Sequence, residues 1–467
     1  MRITVVGAAG GEVTGSAYYV QTTQASILVD CGLFQGGRKS EALNRPPTGP
    51  REKIDAVLLT HGHLDHTGRL PLLSQRGHKM PVFATPATID MAALIIRDSA
   101  RIQAGDAKRK NRKRARTGET LAEPLYTSQD AEDIIKCFRP VPYDWPVPVA
   151  TGIEARFVEA GHMLGSTSIE LIVNEDGRRK HVVFSGDLGP KGVPMLHHFE
   201  PLRAADMVFL ESTYGDRDHR PFDETVEEFS RIVQDAVARR GRILIPTFAV
   251  GRAQLLTTLL GWMFRKNRIR PFPLFLDSPM AIEATKIYYK QFQETPELFD
   301  ERLLKHIAQK PLRDDLRTLT PTVTAAESVA ISKCKPPYLV MAGAGMCNAG
   351  RILHHFKEHL AKPETHVLIV GYQGHGSLGR RLVEGEKAVR IHGEEVAVEA
   401  QVHTLGGFSA HAGQKDLLAW FDALAPSKPR VILTHGEDGP RQTLAGLIQQ
   451  RYQLKSTLPA QKDTIEL

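Results

Sequence analysis

Four side chains able to ligate a metal fall within six positions of the stretch Leu58-Leu59-Thr60-His61-Gly62-His63-Leu64-Asp65-His66-Thr67-Gly68. In an extended His61-Gly62-His63 both imidazoles lie on one side, because side chains alternate along a strand. The chain must then turn, so Asp65 and His66 can face a second point a few ångströms away. Gly62 and Gly68 permit the tight backbone path. Two histidines two apart are common in polar loops, but the full H-x-H-x-D-H pattern points to a metal site, suited to two ions. The remaining ligands must come from elsewhere in the chain.

The elements that position this stretch are strands. A short apolar run, Ala56 to Leu59, precedes it and reads as a buried strand; Ile3–Val6, Tyr18–Val20 and Ser26–Val29 read likewise. Asp30 follows Ile27-Leu28-Val29 at a strand end, where a carboxylate can accept the outer N–H of a ligand histidine and fix its tautomer. Glu154–Glu159, Ser168–Val173 and Val182–Ser185 are further strand candidates. His162 follows in Ala160-Gly161-His162-Met163-Leu164-Gly165 and Asp187 in Ser185-Gly186-Asp187-Leu188-Gly189, each beside glycine at a strand end. Met207–Leu210 leads in the same way to Glu211.

With 467 residues, two domains are the natural expectation. Hydrophobic residues at 42% and charged residues at 24% describe a globular protein. No apolar run approaches the ~20 residues of a membrane span. The opening Met1–Gly7 reads as a strand and lacks a signal peptide's apolar region, so a cytoplasmic protein is expected. The four cysteines, Cys31, Cys137, Cys334 and Cys347, form no C-x-x-C pair, which fits a reducing compartment and leaves imidazole and carboxylate as ligands. That donor set suits zinc ahead of manganese or iron. The net charge of +7 and the run Lys108-Arg109-Lys110-Asn111-Arg112-Lys113-Arg114-Ala115-Arg116 hint at a polyanionic partner. Helices are expected over Met91–Ala104 and Gln129–Cys137, which leaves the basic run as a loop whose Lys110 and Arg112 would grip phosphates without reading sequence.

From about Thr213 the rhythm changes to strands separated by helices, the sign of βαβ units on a parallel sheet. Two strand-to-helix turns there could hold phosphate on exposed N–H groups. One is Ala342-Gly343-Ala344-Gly345-Met346-Cys347-Asn348-Ala349-Gly350-Arg351, and the other is Pro246-Thr247-Phe248-Ala249-Val250-Gly251-Arg252, with Arg252 available for a phosphate or a buried acid. Val389–Ile391 and Val396–Val402 read as strands that return to the first pattern. Gly407-Phe408-Ser409-Ala410-His411-Ala412-Gly413 follows, then Thr434-His435-Gly436, which repeats Thr60-His61-Gly62. The C-terminal segment thus rejoins the first domain, and the second is an insertion.

His61, His63, Asp65, His66, His162, Asp187 and His435, in this order and setting, resemble the metallo-β-lactamase fold. Glu211, His411 and His435 are similar to the extra motifs of its β-CASP branch, which contains the cleavage-and-polyadenylation endonuclease and its bacterial and archaeal relatives. Pro246–Gln254 and Gly371-Tyr372-Gln373-Gly374-His375-Gly376-Ser377-Leu378-Gly379-Arg380 resemble signatures of the inserted domain. The resemblance implies an α/β fold: an αββα metallo-β-lactamase sandwich in residues 1–212 and 391–467, with an inserted α/β β-CASP cap in 213–390. No KH module precedes this fold, so the basic run and cleft walls would grip RNA alone.

The family implies a zinc-dependent ribonuclease with two Zn2+ ions, Mn2+ being the lesser choice. His61, His63 and His162 would hold one ion, and Asp65, His66 and His435 the other, bridged by Asp187 and a hydroxide. The products would carry 5′-phosphate and 3′-hydroxyl ends. Internal cleavage is implied, with 5′–3′ exonuclease action left open. Catalytic roles fall to Asp65, to His411 as proton donor to the leaving oxygen, and to Glu211 and Asp30 as orienting acids. In the cap, Arg252, Gly345, Asn348, Arg351, Ser377 and Arg380 are candidates for RNA phosphate contact. A homodimer stays open, as do three other functions on this fold: a small-molecule metallohydrolase, a DNA nuclease and a non-catalytic RNA-binding scaffold.

Overall fold

The structure is a computed structural model that describes residues 1–36, 38–49 and 52–467, without the side chains of Arg38 and of Lys113 in the basic run. It divides into two compact units, one of residues 1–191, 198–218 and 411–467, the other of 192–197 and 219–410.

The first unit holds two seven-stranded sheets. One runs, in spatial order, Thr464–Glu466, Arg2–Gly7, Ala17–Gln21, Ser26–Val29, Ala56–Leu58, Val82–Ala84 and Phe138–Pro140. The other runs Ser456–Thr457, Arg430–Thr434, Met207–Glu211, Arg178–Phe184, Thr167–Glu175, Ile153–Glu159 and Val147–Ala150. Their period-two alternation explains the layers. Ile27, Val29, Phe184, Phe209 and Ile432 point into one core between the sheets. The alternate residues point outward. Leu28 and Val57 pack with Leu70, Ile96 and Ile134 on one side, and Val183, Val208 and Val431 with Leu417, Trp420 and Ile448 on the other. Helices therefore cover both outer faces, and the unit is an αββα sandwich.

Parallel pairing carries the chemistry to one edge. Arg178–Phe184, Met207–Glu211 and Arg430–Thr434 are parallel neighbours, with Phe184 opposite Phe209 and Glu211 opposite Thr434. Their carboxyl ends therefore emerge together, just before Asp187, at Glu211 and just before His435. In the facing sheet Ser26–Val29 pairs parallel with Ala56–Leu58, Val29 opposite Leu58, so Asp30 and Thr60 emerge side by side.

The second unit is a six-stranded, all-parallel sheet in the order Leu319–Pro321, Leu274–Asp277, Tyr338–Ala342, Arg242–Pro246, Thr365–Ile369, Gln401–Thr404. Leu339 and Met341 pack on one face with Leu256 and Met263, while Val340 and Ala342 pack on the other with Ile352 and Phe356. The α/β insertion is thus present as expected from its alternating elements.

Three details differ from the sequence reading. The basic run is no loop: Pro86–Thr117 is a single helix, supported by Arg101 on Asp98 and Arg109 on Asp106 at i,i+3 spacing. The strand expected over Val396–Val402 is two strands, Glu394–Ala397 in a hairpin with Ala388–Ile391, and Gln401–Thr404. The latter pairs with Thr365–Ile369, so residues 401–404, assigned by sequence to the returning sandwich, extend the second unit's sheet instead.

Candidate metal centre

The H-x-H-x-D-H stretch leaves the sheet at Leu58 and enters the single-turn helix Leu64–Thr67, with His63 at its extended N-cap. The preceding chain, Asp30-Cys31-Gly32, lies directly against this turn. Cys31 N donates to His66 O at 2.8 Å, and a Cβ on Gly32 would lie 1.5 Å from Asp65 O, so only glycine fits there. Asp30 and His435 both adopt positive φ, 58° and 51°, unusual for residues with a Cβ. His435 N is held by Ala8 O at 2.8 Å.

Three imidazole nitrogens converge. His63 Nδ1 stands 3.2 Å from His61 Nε2 and 3.1 Å from His162 Nε2, while Asp187 Oδ2 lies 3.6 Å from both His61 Nε2 and His162 Nε2. Beside them His66 Nε2 and His435 Nε2 are 3.3 Å apart, and Asp187 Oδ1 is 3.3 Å from the former and 3.5 Å from the latter. Asp65 Oδ2 reaches His435 Nε2 at 3.7 Å. Asp187 thus turns one oxygen to each group. Donors ~2.0–2.1 Å from a tetrahedral zinc stand roughly 3.3–3.4 Å from one another, close to these spacings. Hydrogen bonds alone do not account for the packing, since Asp187 Oδ1 is buried without a hydrogen-bond partner. The donor set fits a metal pair.

Protonation follows the same division. Burial holds His63 down to about 4, and burial together with neighbouring His66 holds His61 well below the usual imidazole range, so both are neutral at neutral pH, as ligation requires. Burial would also lower His66, but Asp187 and Asp30 override it and raise it well above that range. Burial opposes the charge on Asp187, yet His435, His66 and His61 keep its carboxyl well below the ordinary carboxylate range.

Two further carboxylates stand beside the histidines. Asp30 Oδ2 receives His66 Nδ1 at 2.7 Å and Thr60 Oγ1 at 2.8 Å, and Oδ1 receives Thr60 N at 2.8 Å. Glu211 Oε1 accepts from Leu188 N at 2.8 Å and lies 3.4 Å from His411 Nδ1. Asp187, Glu211 and His411 form a third close group. Burial lowers His411, but Glu211 and then Asp187 and Asp65 outweigh it and raise its pKa. Two participants were not singled out by the sequence: Thr60, within the repeated Thr-His-Gly and also 3.0 Å from His61 Nδ1, and Thr213, two residues after Glu211, whose Oγ1 lies 3.1 Å from His435 Nδ1.

The weaker candidates fare unevenly. Lys110 and Arg112 are exposed on the long helix. In the second unit, Arg351 turns its guanidinium inward: Nη1 donates to Asp277 Oδ1 at 2.7 Å and Thr322 O at 3.0 Å, Nη2 to Val323 O at 2.6 Å. This corrects its reading as a phosphate contact. Ser377 caps the helix Leu378–Val383 by accepting from Arg380 N, Arg380 Nε donates to Glu384, and Asn348 Oδ1 accepts from Leu378 N. Gly345 lies under the Phe248 ring, and Arg252 is buried.

An αββα sandwich with this histidine–aspartate edge defines a metallo-β-lactamase-type metal-dependent hydrolase. The model of the metallo-beta-lactamase superfamily matches residues 10–246, that of the Beta-Casp domain residues 253–382, and that of the Zn-dependent metallo-hydrolase RNA specificity domain residues 395–459. The chain belongs to the β-CASP family of the metallo-β-lactamase superfamily. It is 39% identical over 458 residues to Ribonuclease TTHA0252 of Thermus thermophilus, covering 97% of each chain. It is 30% identical over 489 residues to the transcription termination factor FttA of Pyrococcus abyssi, covering 100% of this chain and 71% of that one. A crystal structure of a protein of unknown function from Enterococcus faecalis V583 superposes with a TM-score of 0.53 at 13% identity, covering 100% of this chain and 99% of the other, a likeness of fold. Among the described residues no helix is long and apolar enough to cross a membrane.

Proposed function

We propose that this protein is a zinc-dependent ribonuclease that hydrolyses RNA phosphodiester bonds at the His61–His435 edge of its sandwich. The observation that carries the reading is the two-sided carboxylate of Asp187, one oxygen toward His61 and His162 and the other toward His66 and His435. His61, His63 and His162 would hold one zinc and Asp65, His66 and His435 a second, with Asp187 between them. Zinc bound there supplies a water acidic enough to ionise near neutral pH, and positive charge beside the scissile phosphate. Asp30 receives the Nδ1 proton of His66 and so leaves Nε2 as the nitrogen that would bind zinc, with zinc displacing its proton. Glu211 stands in the same relation to His411 Nδ1, which leaves Nε2 to carry a proton to the leaving oxygen. The likeness to a protein named a ribonuclease and the match to an RNA specificity domain favour RNA as substrate.

The test incubates metal-analysed protein with matched RNA and DNA oligonucleotides bearing 5′-phosphate, 5′-hydroxyl or 5′-triphosphate ends. Internal RNA fragments with 5′-phosphate and 3′-hydroxyl termini are expected. Equal hydrolysis of DNA, or none of RNA by a sample holding two zinc ions per chain, refutes the reading. Mononucleotides released only from 5′-phosphate RNA would reassign it as an exonuclease.

A further inference from the structure

The helix Pro86–Thr117 presents two unlike faces in its second half. Gln103, Ala107, Asn111 and Arg114 recur at the spacing of one helix face, and the returning chain lies along them. Asn111 Nδ2 donates to Ala122 O at 2.9 Å while its Oδ1 accepts from Ala122 N at 2.7 Å. Gln103 Oε1 accepts from Leu125 N at 3.1 Å, and Arg114 Nη1 donates to Thr120 O at 2.8 Å. On the opposite face Lys108, Arg112 and Arg116 follow one another every four residues, all exposed. Arg101 and Arg109 flank this row but are paired with Asp98 and Asp106. Among the described residues Lys108, Arg112 and Arg116 have no acidic partner.

Like charges four apart on a helix repel one another, so the row opposes the helix that carries it. The helix dipole accounts for Arg116 in the last turn, but Lys108 and Arg112 lie more than a turn before the end and beyond its reach. Successive members are about 6 Å apart along the axis and the row about 12 Å long, enough to meet consecutive phosphates of a nucleic-acid strand. Its place matters as much as its charge. The helix passes the histidine motif at Met91, whose Cβ lies 2.9 Å from where a Cβ on Gly62 would sit. Lys108 comes 17 residues later in the same helix, about 25 Å along its axis. No aromatic residue interrupts the run, so bases are not read there.

We infer that Lys108, Arg112 and Arg116 form an anchoring site, remote from the metal-type cluster, for the phosphate backbone of single-stranded nucleic acid. That strand is RNA, which rests on the function proposed above. The site fixes a part of a long RNA away from the cluster, about 25–37 Å along the helix from Met91.

The test replaces all three residues (Lys108→Gln, Arg112→Gln, Arg116→Gln) in the metal-loaded chain. Glutamine keeps the helix propensity, and circular dichroism checks the fold. Binding of a long, unstructured, nuclease-resistant phosphorothioate RNA is measured across salt concentrations. The slope of log affinity against log salt should fall by about 2, at roughly 0.7 per lost phosphate contact on a single strand, so affinity drops about a hundredfold at 0.1 M salt and converges toward wild type near 1 M. A control triple variant (Lys333→Gln, Lys335→Gln, Lys455→Gln) removes the same charge from other exposed positions. An unchanged slope in the folded helix variant, or an equal loss in the control, overturns the inference. A matched phosphorothioate DNA strand should lose affinity alike, and a loss confined to RNA would also overturn a phosphate grip. Hydrolysis is scored separately on unmodified RNA: a wild-type chain that cuts none removes the proposed function, whereas the salt slope alone decides the anchoring site.

Discussion

Replacing Asp30 with asparagine tests the site through a single proton. Asp30 is 1% exposed and sits between two kinds of donor: Thr60 N at Oδ1, and His66 Nδ1 with Thr60 Oγ1 at Oδ2. The backbone N–H of Thr60 cannot be withdrawn, so the oxygen of the new carboxamide must stay on that side. Its NH2 group then faces His66 Nδ1 and donates where the carboxylate accepted. His66 responds by moving its proton to Nε2, the atom 3.3 Å from both His435 Nε2 and Asp187 Oδ1. A protonated Nε2 cannot ligate. Loss of an orienting acid costs about 10–100-fold in metal affinity, or about 1.4–2.7 kcal/mol. The loss should fall on the ion assigned to Asp65, His66 and His435, while His61, His63 and His162 retain theirs. Competition against a chromophoric zinc chelator, with the metal content of the dialysed protein, reads both quantities. An Asp30→Asn protein that binds two zinc ions as tightly as wild type would refute the reasoning, and so would equal weakening of both ions.

His63→Ala should lose at least one metal and nearly all nuclease activity while remaining folded; full activity in a metal-analysed sample would sink the two-ion mechanism. His411→Ala is expected to keep its metals and lose about two to four powers of ten in turnover. Depleted metal in that variant would show that its role is ligation instead. Asp277 is fully buried and accepts from Thr322, Ser328, Arg351 and His355, so Asp277→Ala should destabilise the second unit by about 3–5 kcal/mol in thermal or denaturant unfolding. Burial opposes its charge, but those partners, His355 foremost, hold the Asp277 carboxyl well below the usual range. Its contribution is therefore present above about pH 4 and fades as pH falls from there toward the folded-state value, a limb the alanine variant should lack.

Much of the site was legible because its signals are local. Ligating residues beside glycine at strand ends can be seen without knowing which strands are neighbours, and the structure brings the seven proposed ligands together in two close groups, with Glu211 and His411 in a third beside Asp187. Glycine at position 32 is of the same kind: its small size lets residues 30–32 lie against the Asp65–His66 turn. The basic run was legible as charge but not as helix, because a row of like charges disfavours a helix locally and the amide contacts of Asn111 and Gln103 with the returning chain oppose that effect.

Other features depend on contacts far apart in sequence. Arg351 follows a glycine-rich turn as a phosphate contact would, and only the approach of Asp277, from a neighbouring strand of the sheet, turns its guanidinium inward. Pairing of Gln401–Thr404 with Thr365–Ile369 decides how far the insertion extends, since short strands of similar composition can join either sheet until hydrogen-bonding partners are fixed. The sequence by itself determined which side chains can bind metal and that two domains alternate along the chain, since residue type and period are written locally. Tertiary structure decided which oxygen of Asp187 faces which histidines, that Asp30 rather than Glu211 receives His66, and where the positive row lies relative to the cluster. Those depend on strands and helices meeting across separations from 36 residues, as for Asp30 and His66, to more than two hundred, as for Asp187 and His435, and no local spacing encodes that meeting.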